Sequence, residues 1–276
     1  MLVTLKELLP AAVKGRYAVP CFNIFGNEEV VAVIAAAEAT GHPVILACNK
    51  DMAEHMGVAG FAGMTRSLAA AAKVPVCVHL DHCYEEATIL AALEAGFTSG
   101  MFDGSQLPLE ENIARTAQIA QAARGFGASV EGEIGSVPYT EGRDHIKSEF
   151  TEPKDAQAFA ERSGVDAMAI SVGNVHRMVS AASEIDFERI AKIGALTNIP
   201  LVIHGTSGIR ETDLKRLRTM GVAKFNIGTT MRMTFARSLR ASLAANPEQF
   251  DRMKLMKPVI DDMAIEARRC IEILSL

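Results

Sequence analysis

The chain has 276 residues, 49% of them hydrophobic and 22% charged, with a formal net charge of −5. That composition can bury a large core and lacks the basic face that nucleic-acid binding requires. No apolar run approaches a membrane span, the N-terminus lacks the basic-then-apolar pattern of a signal peptide, and the odd count of five cysteines suits reduced thiols, so a cytoplasmic protein is expected.

In chain order, short apolar runs alternate with stretches of helical period. Strands are predicted at 17–22, 43–47, 74–80, 98–103, 129–133, 167–171, 200–204 and 223–226. Helices are predicted at 28–40, 85–95, 109–125, 153–163, 186–196 and 211–220, with further helices at 230–245 and 251–274. Glycines at 41, 96, 127, 164 and 221 fall where helix C-caps precede a strand. Eight strands alternating with helices at this length favour one (β/α)8 (TIM) barrel domain over residues 1–276, with extra C-terminal helices. A doubly wound sheet is the alternative, but no GxGxxG follows the first strand. The one long polar interruption, 135–152, has the length of a functional loop.

Barrel active sites lie where strands end at their carboxyl side. There the third strand carries Asp81 and His82, the fifth Glu131 and Glu133, the sixth His176, the seventh His204, and the eighth Asn226 and Thr229. A lone strand-end histidine is as readily a hydrogen-bonded core residue. Three converging on one mouth match a catalytic zinc site, with three protein nitrogens and a fourth position open. His79 reads as a core or supporting residue, and His42, His55 and His145 as solvated ones. Cys83 follows His82 directly, and neighbours on an extended segment point opposite ways, which argues against it as a ligand. The turns "HGTSG" and "NIGTT" expose backbone N–H groups ahead of a helix, an arrangement that suits phosphate.

Taken together, "YAVPCFNIFGNEEVVAVIAAAE", "PVCVHLDH", "FDGSQLPLEENI", "VEGEIG", "GNVH", "VIHGTSGI" and "KFNIGTT" resemble the class II, metal-dependent ketose-bisphosphate aldolases over nearly the whole chain. The resemblance implies a lyase that reversibly cleaves a ketose (bis)phosphate, or a related anionic ketose, to dihydroxyacetone phosphate and an aldehyde. It implies His82, His176 and His204 as ligands of Zn²⁺ or another divalent metal, with Glu133 nearby and able to coordinate. Asp81 matches the acid/base on the aldehyde oxygen, and Glu141 a loop glutamate that takes the carbon-bound proton. Gly205, Ser207, Asn226 and Thr229 match residues holding the ketose phosphate and enediolate, and Asn23 and Asn49 lie at substrate-facing strand ends. A monovalent cation and a homodimer or homotetramer are further implications.

Two departures bear on the substrate. The family has Gly after the histidine of "GNVH" and this chain has Arg177, which either pairs with an anion or is a surface residue at a divergent turn. The loop after Glu133 carries Pro138–Tyr139 in place of a Gly–Gly pair. A degenerate member that binds sugar phosphate without turnover is the second hypothesis. A metal-dependent hydrolase is the third, although such sites use an HxH pair on the first strand, where Asn23 stands alone. In "HLDH" the histidines are three apart, and on a regular strand they point to opposite faces.

Overall fold

The apolar runs form eight parallel strands that pair in chain order and close on themselves, as a computed structural model of the chain describes for residues 1–140 and 148–275. In chain order the elements are α1 (Leu5–Gly15), β1 (Val19–Asn23), α2 (Asn27–Thr40), β2 (Val44–Cys48), α3 (Lys50–Met56), α4 (Val58–Ala71), β3 (Val76–Cys83), α5 (Glu86–Glu94) and β4 (Ser99–Phe102). There follow α6 (Leu109–Gly125), β5 (Ser129–Ile134), α7 (Pro153–Ser163), β6 (Ala167–Ile170), α8 (Phe187–Leu196), β7 (Leu201–Ile203), α9 (Glu211–Leu217), β8 (Val222–Ile227), α10 (Thr229–Ala245) and α11 (Arg252–Ser275). The expected TIM barrel, its strand order and its two extra C-terminal helices are all present. The five helix-end glycines adopt positive φ, the conformation that ends a helix before a strand.

Three helices were not expected. One is α1, begun by a capping box in which the Thr4 side chain accepts from Glu7 N–H while the Glu7 carboxylate accepts from Thr4 N–H. It places Leu5, Leu8, Leu9 and Ala12 against the interior residues Val19, Cys21, Ile45, Cys77, Ala167 and Ala223, closing the amino end of the barrel. Each buried leucine there contributes roughly 1.5–3 kcal/mol of transfer free energy. The others are α3, a seven-residue, largely polar stretch, and α4, whose Ala- and Gly-rich sequence carries weak helical patterning.

Alternate residues of each strand face inward, and two strands break that alternation. In β3, Leu80 pairs with Gly100 and Cys83 with Phe102, so Asp81 and His82 together stand opposite Met101. This one-residue bulge, with His82 at φ 48°, turns both side chains into the mouth. The expectation that His79 and His82 point to opposite faces is therefore wrong, because the extra residue shifts the period between them. In β8, Leu201 pairs with Val222 but Val202 with Lys224, so Ala223 is the extra residue. Past it, Lys224 and Asn226 share the inward face with Val19 and Cys21 of β1.

Candidate active site

The carboxyl ends of the strands bring Asn23, Asn49, Asp81, His82, His176, Arg177, Gly205, Ser207, Asn226 and Thr229 around one mouth. Every candidate site residue from the sequence is there except His204 and Glu133, which are buried just beneath, and Glu141, which falls outside the described residues.

Three imidazoles converge. The ring of His82 lies 5.0 Å from that of His176 and 4.5 Å from that of His204, centre to centre. His82 Nε2 and His204 Nδ1 face each other at 2.7 Å. The outer nitrogens are engaged, His82 Nδ1 with Asp103 Oδ2 at 3.0 Å and His204 Nε2 with Glu131 Oε1 at 2.9 Å. If each outer nitrogen carries the proton donated to its carboxylate, two inner lone pairs point at one another. That is unfavourable unless a metal ion or a second proton on His82 lies between them, and carboxylate-backed imidazoles are how proteins orient histidine ligands. The donor set therefore fits a zinc-like ion on His82, His176 and His204. Glu133 groups separately with His82 and Asp103, its Oε2 lying 3.7 Å from His82 Nδ1. Burial, then the neighbouring Asp103, holds the Glu133 carboxyl well above its usual pKa.

Asp81 is buried, and both its oxygens accept amide hydrogen bonds, Oδ2 from Asn23 Nδ2 at 2.9 Å and Oδ1 from Asn226 Nδ2 at 2.8 Å. Burial alone would raise its pKa, but the charge field of His82, His204 and Lys224 outweighs that and holds it below the usual carboxylate range. His79 is core, as expected, with Nδ1 2.9 Å from Ser99 Oγ. Burial, then the charge of Lys224, lowers its pKa to about 3.

The phosphate-like corner is built on backbone. Gly205 sits at φ 69°, and a Cβ there would lie 2.4 Å from the Val175 carbonyl oxygen, so only glycine fits. Thr229 opens the 17-residue α10, whose N-terminus has no side-chain cap. Asn49 lines the mouth while its Oδ1 accepts from Met52 N–H at 3.0 Å, so it also caps α3.

Arg177 occupies a left-handed φ of 62°, the conformation that favours glycine. Its guanidinium lies 3.8 Å from Asp51 and over the Tyr139 ring. Tyr139 itself stacks on His176, with ring centres 4.3 Å apart, and the backbone on either side is tied down: His176 N–H donates to Pro138 O at 2.8 Å and Thr140 N–H to His176 O at 3.2 Å. The Pro138–Tyr139 departure thus clamps the start of the loop to a candidate metal ligand.

Sequence reasoning missed Asp103, Lys224 and Arg232 as parts of the site, and it placed Glu131 at a strand end without giving it a role. Asp103 and Glu131 carried a signal, each being a carboxylate at or near a strand end. Lys224 carried another, a charge inside the apolar run "AKFNI". Arg232, on the first turn of α10 with its guanidinium over Phe25, looks in sequence like any helix cation.

A family model described as fructose-bisphosphate aldolase class II matches residues 3–276. The chain is 37% identical over 265 residues to a probable fructose-bisphosphate aldolase of Bacillus subtilis, covering 93% of this chain and 92% of that one. It is 34% identical over 248 residues to a sulfofructosephosphate aldolase of Alkalicoccus urumqiensis, covering 89% and 86%. The crystal structure of the YdjI aldolase from Escherichia coli K12 superposes with a TM-score of 0.84 at 29% identity, over 99% of this chain and 97% of that chain. The converging imidazoles, the buried carboxylates and the glycine turns lie on a chain that belongs to the class II fructose-bisphosphate aldolase family, and it is an enzyme, a lyase.

Proposed function

We propose that the protein is a divalent-metal aldolase that cleaves a ketose phosphate bearing a second anionic group into dihydroxyacetone phosphate and an aldehyde. The observation that carries this reading is the inward-facing pair His82 Nε2 and His204 Nδ1, 2.7 Å apart, with His176 beside them. A zinc ion bound there would polarise the ketose carbonyl and so provide the electron sink for breaking the adjacent carbon–carbon bond.

Asp81, at the edge of the imidazoles, takes the proton from the hydroxyl on the far side of that bond. As the bond breaks, its electron pair moves towards the carbonyl carbon and the hydroxyl carbon becomes the aldehyde. Because Asn23 and Asn226 occupy both Asp81 oxygens, the incoming hydroxyl must share or displace one amide. The two amides otherwise hold the carboxylate ionised and fixed in place. Glu141 is assigned the exchange of the carbon-bound proton on the product side. Gly205, Ser207, Asn226, Thr229 and the α10 N-terminus hold the phosphate.

Support for a second anion comes from Arg177 and Arg232, which line the same mouth. Burial, then the charge of Arg177, lowers the pKa of Arg232, so the two guanidiniums repel and a bound anion would relieve both. The relatives that act on fructose bisphosphate and on sulfofructosephosphate make a phosphate and a sulfonate the first two candidates. All five cysteines are buried free thiols, which supports cytoplasmic action. Apolar Phe250, Met253 and Ile265 on and beside α11 are exposed, which supports a homodimer or homotetramer.

The test is cleavage of ketose mono- and bisphosphates and a sulfonated ketose phosphate, with and without EDTA, following triose-phosphate release. Chelator-sensitive cleavage, restored by Zn²⁺, is expected. Failure to cleave any member, in protein holding stoichiometric metal, would favour binding without turnover.

A further inference from the structure

Beneath the mouth lies a charge that the aldol chemistry does not call for. Lys224 is fully buried, brought inward by the bulge at Ala223. Its ammonium forms an ion pair with Glu131 Oε2 at 2.8 Å and donates to Asn226 Oδ1 at 2.6 Å. Each contact leads on to a different half of the site. Glu131 receives His204 Nε2 on its other oxygen at 2.9 Å, and Asn226 turns its amide to Asp81 Oδ1 at 2.8 Å.

Donor and acceptor chemistry makes these links directional. An ammonium only donates, so Asn226 must present its oxygen to Lys224 and its NH₂ to Asp81. Glu131, held ionised beside that ammonium, only accepts, so His204 must carry its proton on Nε2 and keep Nδ1 free on the inner side. We propose that Lys224 is a positioning residue that sets the tautomer of His204 through Glu131 and the amide orientation of Asn226 towards Asp81. One buried cation thereby orients the metal-binding half and the proton-transfer half together. The inference rests on the metal-site reading above. The competing account is that Lys224 does no more than neutralise a buried carboxylate.

The two accounts separate in Lys224→Met, Glu131→Gln and the double variant, titrated with Zn²⁺ against a competing chelator and with Co²⁺ by visible absorption. Positioning predicts zinc binding about 10- to 100-fold weaker in each single variant, although Lys224 touches no ligand atom. It predicts a double variant no weaker than Glu131→Gln, since one path is cut twice. It also predicts altered Co²⁺ bands in all three, and a kcat for Lys224→Met below that of Glu131→Gln with KM changed less, because only the lysine change releases Asn226. Wild-type zinc affinity in folded Lys224→Met, or fully additive losses in the double variant, would overturn the proposal. If Lys224→Met does not fold, the double variant, which buries no unpaired charge, decides by comparison with Glu131→Gln: equal zinc affinity with a lower kcat supports the proposal, and a further loss of affinity or an equal kcat overturns it. A wild-type protein that binds no zinc would instead sink the metal-site reading, and this inference with it.

Discussion

The two ends of the barrel interior are made by the same eight strands and could hardly differ more. At the amino end, leucines of α1 meet Val19, Ile45, Cys77 and Ala167 in a dry apolar plug. At the carboxyl end, Asp81, Asp103, Glu131, Glu133, Lys224, His79, His82 and His204 are all buried. The lower layer gains free energy from burial alone. The upper one must satisfy every charge by a partner, since a buried ion left unpaired costs several kcal/mol. Stability and chemistry are thus divided along the barrel axis, a division that substitution can break or sharpen.

The largest expected effect is at the top. Asp81→Asn should keep bound metal, measured by elemental analysis, and lower kcat by about 10²- to 10⁴-fold, the usual contribution of a general base. Wild-type turnover would remove Asp81 from its assigned role. At the bottom, Leu9→Ala should do the reverse. Denaturant unfolding should show a loss of about 2–5 kcal/mol from the cavity, with kcat/KM of the folded protein unchanged. A comparable loss of activity would mean that the plug also tunes the mouth.

Acid should sharpen the contrast. The pKa of His79 is about 3 in the folded protein against an ordinary 6.5, so between those values the unfolded chain holds the extra proton. Its contribution is fully present above about pH 6.5 and is lost as pH falls towards 3, with a slope of up to ~1.4 kcal/mol per pH unit. Chelated protein should melt progressively lower from pH 7 to pH 5, and His79→Gln should flatten that slope. A flat wild-type profile would show that His79 already carries its proton when folded.

The smallest expected effect lies at the rim. Arg177→Gly replaces a left-handed arginine by the residue suited to that backbone, so relief of strain and the greater freedom of the unfolded chain should nearly cancel, leaving stability within ~1 kcal/mol. Its kcat/KM should fall about tenfold for ketoses with a second anion, a loss of ~1.4 kcal/mol, and less for those with one. Equal rates across the panel would make Arg177 a bystander.

The sequence carried the barrel because the apolar runs at the second, third, sixth and seventh strands and glycines at helix ends are local signals. It carried His82, His176 and His204 because strand ends define the mouth. It could not carry β3's geometry: an alternating pattern does not say where an extra residue enters, so His79 and His82 were read as facing apart. For the same reason the charge inside "AKFNI" did not say which way Lys224 faces. α1 was missed because its apolar stripe points at the barrel floor, a partner that exists only after closure. Glu141 lies outside the described residues, and the structure leaves its role where the resemblance put it.

The extra residue at Ala223 has a consequence for anyone editing this chain. Below it, β8 faces the interior on odd numbers; above it, on even ones. Deleting Ala223 would restore the regular count without changing the site: Val222 below it faces the helices and Lys224 already pairs with Val202, so Lys224 and Asn226 would stay inward. A strand that kept Ala223 but ran regularly from its lower register would instead turn the side chains of Lys224 and Asn226 towards the helices and Phe225 into the mouth. The parity of one strand, rather than the identity of any side chain on it, decides whether this barrel end is an active site or a second floor.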